Sequence, residues 1–188
     1  FMLNEAERER ILKHPTGKYP HTALTKPFYD KAKDLDDVTK MQYIDIHFWL
    51  IGDILLKADK MSMANSLEVR VPFLDRVVFD VARKVPTEYK VNKENTKFAM
   101  RQAAHRYLPD MVAEKKKLGF PVPIRIWLRE ENYYNMVKEA FHSPAAEEFF
   151  KVDEIMKYLD EHKAGKADNS RKIWTIYMFL VWHKQFFG

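Results

Sequence analysis

The sequence predicts a mainly α-helical protein, and three observations support that prediction. From Asp37 onward, apolar residues recur every three or four positions, as they do along one face of a helix: Met41, Ile44, Phe48, Ile51 and Leu55. The chain ends in an apolar run within residues 170–187, which is too short to span a bilayer and predicts a buried terminal helix. Strand signals, in contrast, are scarce.

Start and stop signals divide the chain into separate helices. The first helix is predicted over residues 5–13 and ends before Pro15. Because prolines and Gly17 recur from there through Pro27, we expect a loop in that segment. The Pro-Val-Pro sequence at 121–123 disfavours helix and favours a stiff, extended chain. The remaining helices are predicted over residues 37–65, 76–84, 95–106, 124–130, 133–141, 145–150, 152–164 and 170–187.

Composition narrows the class of protein. The 188 residues, 46% of them apolar and 14% aromatic, are enough for a globular core. The absence of cysteine excludes disulfides and thiolate metal sites, and it fits a reducing compartment. Because the first residues also lack a signal-peptide pattern, we expect a cytoplasmic protein that is not embedded in a membrane. The net charge of +5 comes from 32 bases interspersed with 27 acids, which favours a solvated surface over a nucleic-acid partner.

Residues 57–75 join two kinds of sequence. An amphipathic stretch runs into Glu68-Val-Arg-Val-Pro-Phe-Leu-Asp75, where charged and apolar residues alternate. In an extended backbone Glu68 and Arg70 lie on the same side, and Pro72 keeps the residue before it out of helical geometry. Asp75 stands where the following helix needs an N-cap. We therefore predict a buried ion pair between Glu68 and Arg70, which would need a structural or functional reason to offset its desolvation.

Few side chains in the sequence are placed for chemistry. Seven histidines are present, but none has the spacing of a metal site, so no metal site is predicted, and His47 on an apolar face is expected in the core. The three lysines at 115–117 lead into a Leu-Gly-Phe turn followed by prolines. A lysine on such a rigid turn can hold positive charge against a phosphate, whereas a solvated lysine cluster explains the same residues.

Three blocks of sequence together carry a family resemblance. They are K-A-D-K-M-S-M-A-N-S-L-E-V-R-V-P-F-L-D at 57–75, K-F-A-M-R at 97–101 and L-P-D-M-V-A-E-K-K-K-L-G-F at 108–120. In this order and spacing, they resemble the C-terminal half of the synthetase domain of glutamine-hydrolysing asparagine synthetases. The resemblance implies that residues 1–188 are the helical C-terminal segment of an α/β ATP-pyrophosphatase domain of the adenine nucleotide α-hydrolase-like type.

The resemblance also implies a reaction. It indicates an AMP-forming amide ligase in which ATP adenylates the side-chain carboxylate of aspartate, and ammonia from glutamine converts the β-aspartyl-adenylate to asparagine. Lys117 aligns with a family lysine that contacts the phosphates and helps to stabilise the adenylation transition state. Asp53 and Lys57 match the family block L-P-x-D-x-L-x-K-x-D, with Ile51 in place of the proline. Because Asp53 and Lys57 are four residues apart, they are expected to share one helix face and could pair.

Two further sets of residues match the family. Glu68, Arg70 and Asp75 match the block E-x-R-x-P-F-L-D, and the resemblance implies that they organise the wall of the site. Lys97 and Arg101 match as well and are four apart on one predicted helix face. An ordinary solvated face explains Lys97 and Arg101 equally well.

Several parts of a complete enzyme of this family are not in the chain. They are the nucleotide-binding loop S-G-G-x-D-S, the acidic block G-E-G-x-D-E and the N-terminal cysteine of the glutaminase domain. Because the chain also opens with Phe1, we expect an incomplete, inactive fragment, with ATP and Mg²⁺ bound mainly by residues outside it. Its expected partners are the rest of the synthetase and the glutaminase domain, and a homodimer is left open. The alternative is a non-catalytic helical interaction module derived from the same fold.

Overall fold

The structure, a computed structural model, describes residues 2–15, 21–116, 119 and 122–188, apart from the side chain of His21. The chain divides into two compact units, the first formed by Phe1–Lys18 with Gly119–Gly188 and the second by Tyr19–Leu118. In the described residues the regular structure is helical, and the only strand-like pairing is an isolated antiparallel bridge between Leu12 and Phe150. The predicted mainly α fold is confirmed.

Most of the predicted helices are present. In chain order the α-helices are α1 (Glu5–Ile11), α2 (His21–Lys31), α3 (Asp37–Asp45), α4 (Leu56–Met63), α5 (Arg76–Ala82), α6 (Thr87–Lys90), α7 (Phe98–Ala104), α8 (Asp110–Ala113), α9 (Ile124–Trp127), α10 (Glu131–Phe141), α11 (Pro144–Phe149), α12 (Val152–Lys163) and α13 (Ser170–Phe187). A π-helical segment, Ile46–Leu55, joins α3 to α4 without a break, and a 3₁₀ turn, Pro72–Leu74, precedes α5. No described helix has both the length and the apolarity needed to cross a lipid bilayer.

The first unit has a closed hydrophobic core. Helices α10, α12 and α13 pack on one another, and the core residues recur at helical spacing on their inner faces: Val137 and Phe141, then Ile155, Tyr158 and Leu159, then Ile173, Ile176 and Leu180. Helix α1 adds Ile11, and its C-terminal end is fastened by backbone hydrogen bonds of 3.0 Å from Lys13 N to Phe149 O and 2.7 Å from Lys151 N to Ile11 O. The predicted burial of the terminal helix therefore holds for one face of α13.

A buried histidine ties the first unit together through polar contacts. His162 on α12 is fully buried, and its Nε2 lies 2.9 Å from the carbonyl oxygen of Arg125. Its Nδ1 accepts a hydrogen bond of 3.3 Å from the backbone N–H of Asn169. These two partners require the neutral ring to carry its proton on Nε2. His162 thus fixes α9 and the start of α13 against α12.

Polar side chains around this core have perturbed pKa values. The hydrogen bond from Lys172, together with one from the backbone N–H of Asn4, lowers the pKa of Glu7. Tyr134 donates a hydrogen bond of 2.7 Å to Asp160, and this contact, helped by burial, raises the pKa of Tyr134 to about 12. These pairs fasten α1 to α13 and α10 to α12, respectively.

The second unit has almost no core of its own. Among its described residues only Ala32 and Ala113 are buried. Large apolar side chains lie exposed on several of its helices and on the segment between α4 and α5: Met41, Trp49, Ile51, Met61, Leu67, Phe73 and Val77. A unit of this size normally buries such side chains, because their removal from water is the main favourable term in folding.

Two predictions about the second unit were wrong, and a third was confirmed with a difference in helix type. The predicted loop through Pro27 is instead helical from His21, because Phe28 anchors α2 with its ring centroid 4.8 Å from that of Phe48. His47, predicted in the core, is exposed, and its Nδ1 lies 2.7 Å from the carbonyl oxygen of Tyr43. The long helix does run from Asp37 to Met63 as predicted, but its central ten residues are π-helical rather than α-helical.

Candidate functional site

The segment between α4 and α5 leaves the helix through a left-handed turn. Ser66 has a φ of 55°, an uncommon conformation for a residue other than glycine, and Leu67 N donates a hydrogen bond of 2.9 Å to Ser62 O. The chain beyond it is irregular until Pro72. Glu68 and Arg70 form the predicted ion pair, but their side chains are 68% and 84% exposed. The prediction of a buried pair was wrong, because no described residue of the second unit covers this segment.

Asp75 has the local role that its position predicts. Its carboxylate accepts hydrogen bonds from the backbone N–H groups of Val77 at 2.8 Å and Val78 at 3.4 Å, which caps α5. The preceding 3₁₀ turn begins at Pro72, where a missing N–H costs nothing. Asp75 is therefore the N-cap of α5 in this structure.

Asp53 and Lys57, the two predicted site residues of the long helix, have different surroundings in the structure. Asp53 lies in the π-helical segment, and its carboxylate accepts a hydrogen bond of 2.8 Å from the indole Nε1 of Trp49. Lys57 lies in the first turn of α4 and is exposed, as Asp53 is. Within the described residues no ion pair joins Asp53 to Lys57, so the structure does not show the pair that their spacing allows.

The lysine run is described only in part. Lys115 and Lys116 are exposed, whereas Lys117, the predicted catalytic and phosphate-binding residue, lies outside the described residues, as do Leu118, Phe120 and Pro121. The run begins just after α8, a four-residue helix that sequence periodicity did not indicate.

Arg101 contacts the backbone ahead of the lysine run. From α7, its guanidinium donates hydrogen bonds of 2.7 Å to Ala113 O and 2.8 Å to Lys115 O. One turn further along α7, the Nδ1 of His105 lies 2.8 Å from a carboxylate oxygen of Asp110, at the start of α8. The sequence predicted only that Arg101 shares a helix face with Lys97. It could not predict the contacts of Arg101 with backbone carbonyl groups, because every residue carries a carbonyl group.

A groove of about 1010 Å³ opens between α3, the π-helical segment, α5 and α7 in the second unit. Its wall is largely apolar and includes Trp49, Ile54 and Met100, with Lys97 at one side. The predicted site residues that the structure describes do not line it: Asp53, Lys57, Glu68, Arg70 and Asp75. The second unit thus does not by itself bring the predicted site residues to one groove.

Across the part of the chain that the structure describes, no three His, Asp or Glu residues come close enough to hold a metal ion. The described residues thus do not form a complete Mg²⁺ site by themselves.

Comparison with known proteins gives the family of this helical chain. The chain belongs to the asparagine synthase family, whose sequence model matches residues 2–184. It is 47% identical over 182 residues to asparagine synthetase [glutamine-hydrolyzing] 1 of Bacillus subtilis, a match that covers 97% of this chain and 29% of that protein.

More distant comparisons agree with this assignment. The chain is 44% identical to a putative asparagine synthetase [glutamine-hydrolyzing] of Mycobacterium tuberculosis, over 96% of the chain and 28% of that protein. The chain is also 32% identical to asparagine synthetase B [glutamine-hydrolyzing] of Escherichia coli, in a shorter match that covers 47% of the chain and 16% of that protein. The chain thus spans less than a third of the length of these curated relatives. No solved structure matches it.

Proposed function

We propose that this chain is the C-terminal helical part of a synthetase domain in an ATP-dependent, AMP-forming amide ligase that makes asparagine. The observation that carries the proposal is the family match over residues 2–184, which includes all three motif blocks. The substrates proposed for the whole enzyme are aspartate, ATP and ammonia released from glutamine. The relatives from Bacillus subtilis and Mycobacterium tuberculosis, which are named as glutamine-hydrolyzing asparagine synthetases, support this choice.

The proposed reaction has two steps. A side-chain carboxylate oxygen of aspartate attacks the α-phosphorus of ATP, and pyrophosphate leaves with the electron pair of the broken P–O bond. Ammonia then attacks the acyl carbon of the β-aspartyl-adenylate, AMP leaves, and the nitrogen loses a proton to give the amide. Mg²⁺, when bound, would offset charge on the phosphate oxygens. In this proposal Mg²⁺ is bound mainly by residues outside this chain.

Within this chain, we assign the main chemical role to Lys117. Negative charge grows on the phosphate oxygens as the pyrophosphate bond breaks, and a fixed ammonium group stabilises that charge most where water is excluded. Lys57 and Asp53 are proposed as supporting site residues, because they match the family block beside the K-A-D-K sequence. Glu68, Arg70 and Asp75 are proposed as part of the wall of the site, with Asp75 holding the start of α5.

The second unit supports the proposal that this chain works only as part of a longer enzyme. Of its described residues only two alanines are buried, while many large apolar side chains are exposed. Protein surfaces rarely expose so many apolar groups together unless another surface covers them. The chain spans less than a third of the length of its relatives, and we propose that part of the additional sequence supplies the covering surface. The isolated chain is therefore expected to lack synthetase activity.

The test is aspartate-dependent exchange of pyrophosphate into ATP, measured on the full-length protein that contains this chain. Wild-type protein is expected to catalyse exchange, and Lys117→Ala is expected to slow it by on the order of 100-fold or more, since it removes charge stabilisation in the transition state. Lys116→Ala is the matched control, because it removes an exposed lysine one position earlier and should leave exchange near wild type.

Two outcomes would contradict the proposal. Exchange by Lys117→Ala at the wild-type rate would remove the role of this lysine, and exchange by the isolated 188-residue chain would remove the proposal of an inactive segment. A full-length protein that folds but shows no exchange with aspartate would favour the non-catalytic interaction module instead.

A further inference from the structure

Helix α7 holds the segment ahead of the lysine run at two points. The guanidinium group of Arg101 bonds two carbonyl oxygens at once, those of Ala113 and Lys115, through separate nitrogens. A planar fork of donors suits two acceptors at fixed positions, whereas a lysine ammonium is a single point charge on a flexible stem. The side chain is half-buried, and its bond to Ala113 O lies partly out of water, where a hydrogen bond is stronger than on the surface, whereas its bond to Lys115 O is exposed.

The second point lies one helical turn further on. His105, four residues after Arg101 and on the same face of α7, contacts the carboxylate of Asp110 at 2.8 Å. Ala113, whose carbonyl oxygen belongs to the first point, is one of the two buried residues among those that the structure describes in the second unit. A helix of only four residues has little stability of its own. The course of α8 is therefore set by α7 rather than by α8 itself.

We infer that Arg101 is a positioning residue for adenylation, acting through the backbone at Ala113 and Lys115. The inference rests on the proposed function, in which Lys117 stabilises charge on the phosphates. Lys117 follows Lys115 by two residues, and two residues span at most about 7 Å, so displacing the Lys115 carbonyl displaces the start of the run. Positioning errors of about 1 Å are enough to cost a reaction on the order of 100-fold.

Arg101→Lys tests the inference in the full-length protein, because it keeps the charge and loses the two-pronged contact. The matched control is Arg106→Lys, at an exposed arginine just beyond the end of α7. In pyrophosphate exchange, Arg101→Lys is expected to lower kcat on the order of 10- to 100-fold while KM for ATP stays within about threefold. Arg106→Lys is expected to change neither. A purely structural role would lower Tm and leave kcat unchanged below the melting transition, which would overturn the inference.

The double variant Arg101→Lys with Lys117→Ala separates this inference from the proposed function. If Arg101 acts through Lys117, the double variant is as slow as Lys117→Ala alone, because residues acting as a unit are not additive. Slow exchange by Lys117→Ala with normal exchange by Arg101→Lys would overturn the positioning role and leave the proposed function standing. Normal exchange by Lys117→Ala would overturn both.

A second pair of variants covers the case in which Arg101→Lys fails to fold. His105→Gln and Asp110→Asn weaken the other attachment point of α8 and retain side chains of similar size. Each is expected to lower kcat for exchange by about threefold or more, in the same direction as Arg101→Lys. Unchanged kcat in both variants would overturn the inference.

Discussion

Phe141→Ala and Phe79→Ala compare the same substitution in the two units of the isolated chain. Phe141 in α10 is 0% exposed and sits within the closed core of the first unit, whereas Phe79 in α5 is 42% exposed. If the first unit folds on its own core and the second does not, the two substitutions should differ strongly in their effect on stability.

The burial of each ring gives the expected magnitudes. Removing a fully buried phenylalanine leaves a cavity and costs about 3–5 kcal/mol. Fully burying such a ring contributes about 1.5–3 kcal/mol, and Phe79 is buried over little more than half of its surface, so its truncation costs about 1–2 kcal/mol at most. Because a single domain is stable by about 5–15 kcal/mol, Phe141→Ala should remove a large share of the total.

The assay is urea denaturation followed by circular dichroism, together with hydrogen exchange resolved by helix. Amides of α10, α12 and α13 are expected to be the most protected, and those of α3 and α5 to exchange through local opening. Equal losses of unfolding free energy for the two variants would refute the view that the second unit lacks a core. Protection of α5 equal to that of α12 would refute it as well.

Three further predictions concern individual side chains. Tyr134, whose pKa is raised to about 12 by its bond to a carboxylate, contributes stability that is present below about pH 10 and lost as the pH rises toward 12, so Tyr134→Phe should flatten the alkaline loss of Tm. The pKa of Glu7 is lowered mainly by its hydrogen bond from Lys172, so this group contributes stability that is present above pH 4.5, its ordinary pKa, and is lost as the pH falls through the lowered pKa. Glu7→Gln should therefore reduce the dependence of Tm on pH in that acid range. An unchanged dependence would contradict this prediction. Arg70→Ala in the isolated chain should cost less than about 1 kcal/mol in urea titration, because its pair with Glu68 is solvated; a loss of about 3 kcal/mol or more would indicate that this segment is covered after all.

The helices of the first unit could be predicted from the sequence to within about two residues at each end, except that α9 was predicted over 124–130 and ends at Trp127. α12 was predicted over 152–164 and runs over Val152–Lys163, and α10 was predicted over 133–141 and runs over Glu131–Phe141. These helices have one apolar face and pack it against their own unit, so the period of the sequence and the burial in the structure coincide.

The second unit departed from its sequence pattern for identifiable reasons. Helix α2 contains Pro27, which local rules exclude from a helix interior, while α6 and α8 are too short to show any period. The alternation around Glu68 correctly indicated an ion pair, but burial depends on what covers a segment, and that information is not local. In the same way, the sequence could not show that Arg101 binds carbonyls 12 and 14 residues further on.

The π-helical segment sets the rotation about the helix axis of the residues of α4 that follow it. A regular α-helix advances about 100° per residue, and a π-helix accommodates its residues in wider turns, closing each bond over five residues instead of four. Deleting Gly52 from this segment would rotate the residues that follow it, among them Lys57 and Met61, about the helix axis relative to the residues before it. The orientation of the whole K-A-D-K-M-S-M block therefore depends on a local change of pitch that ends at Leu55, two residues before the block begins.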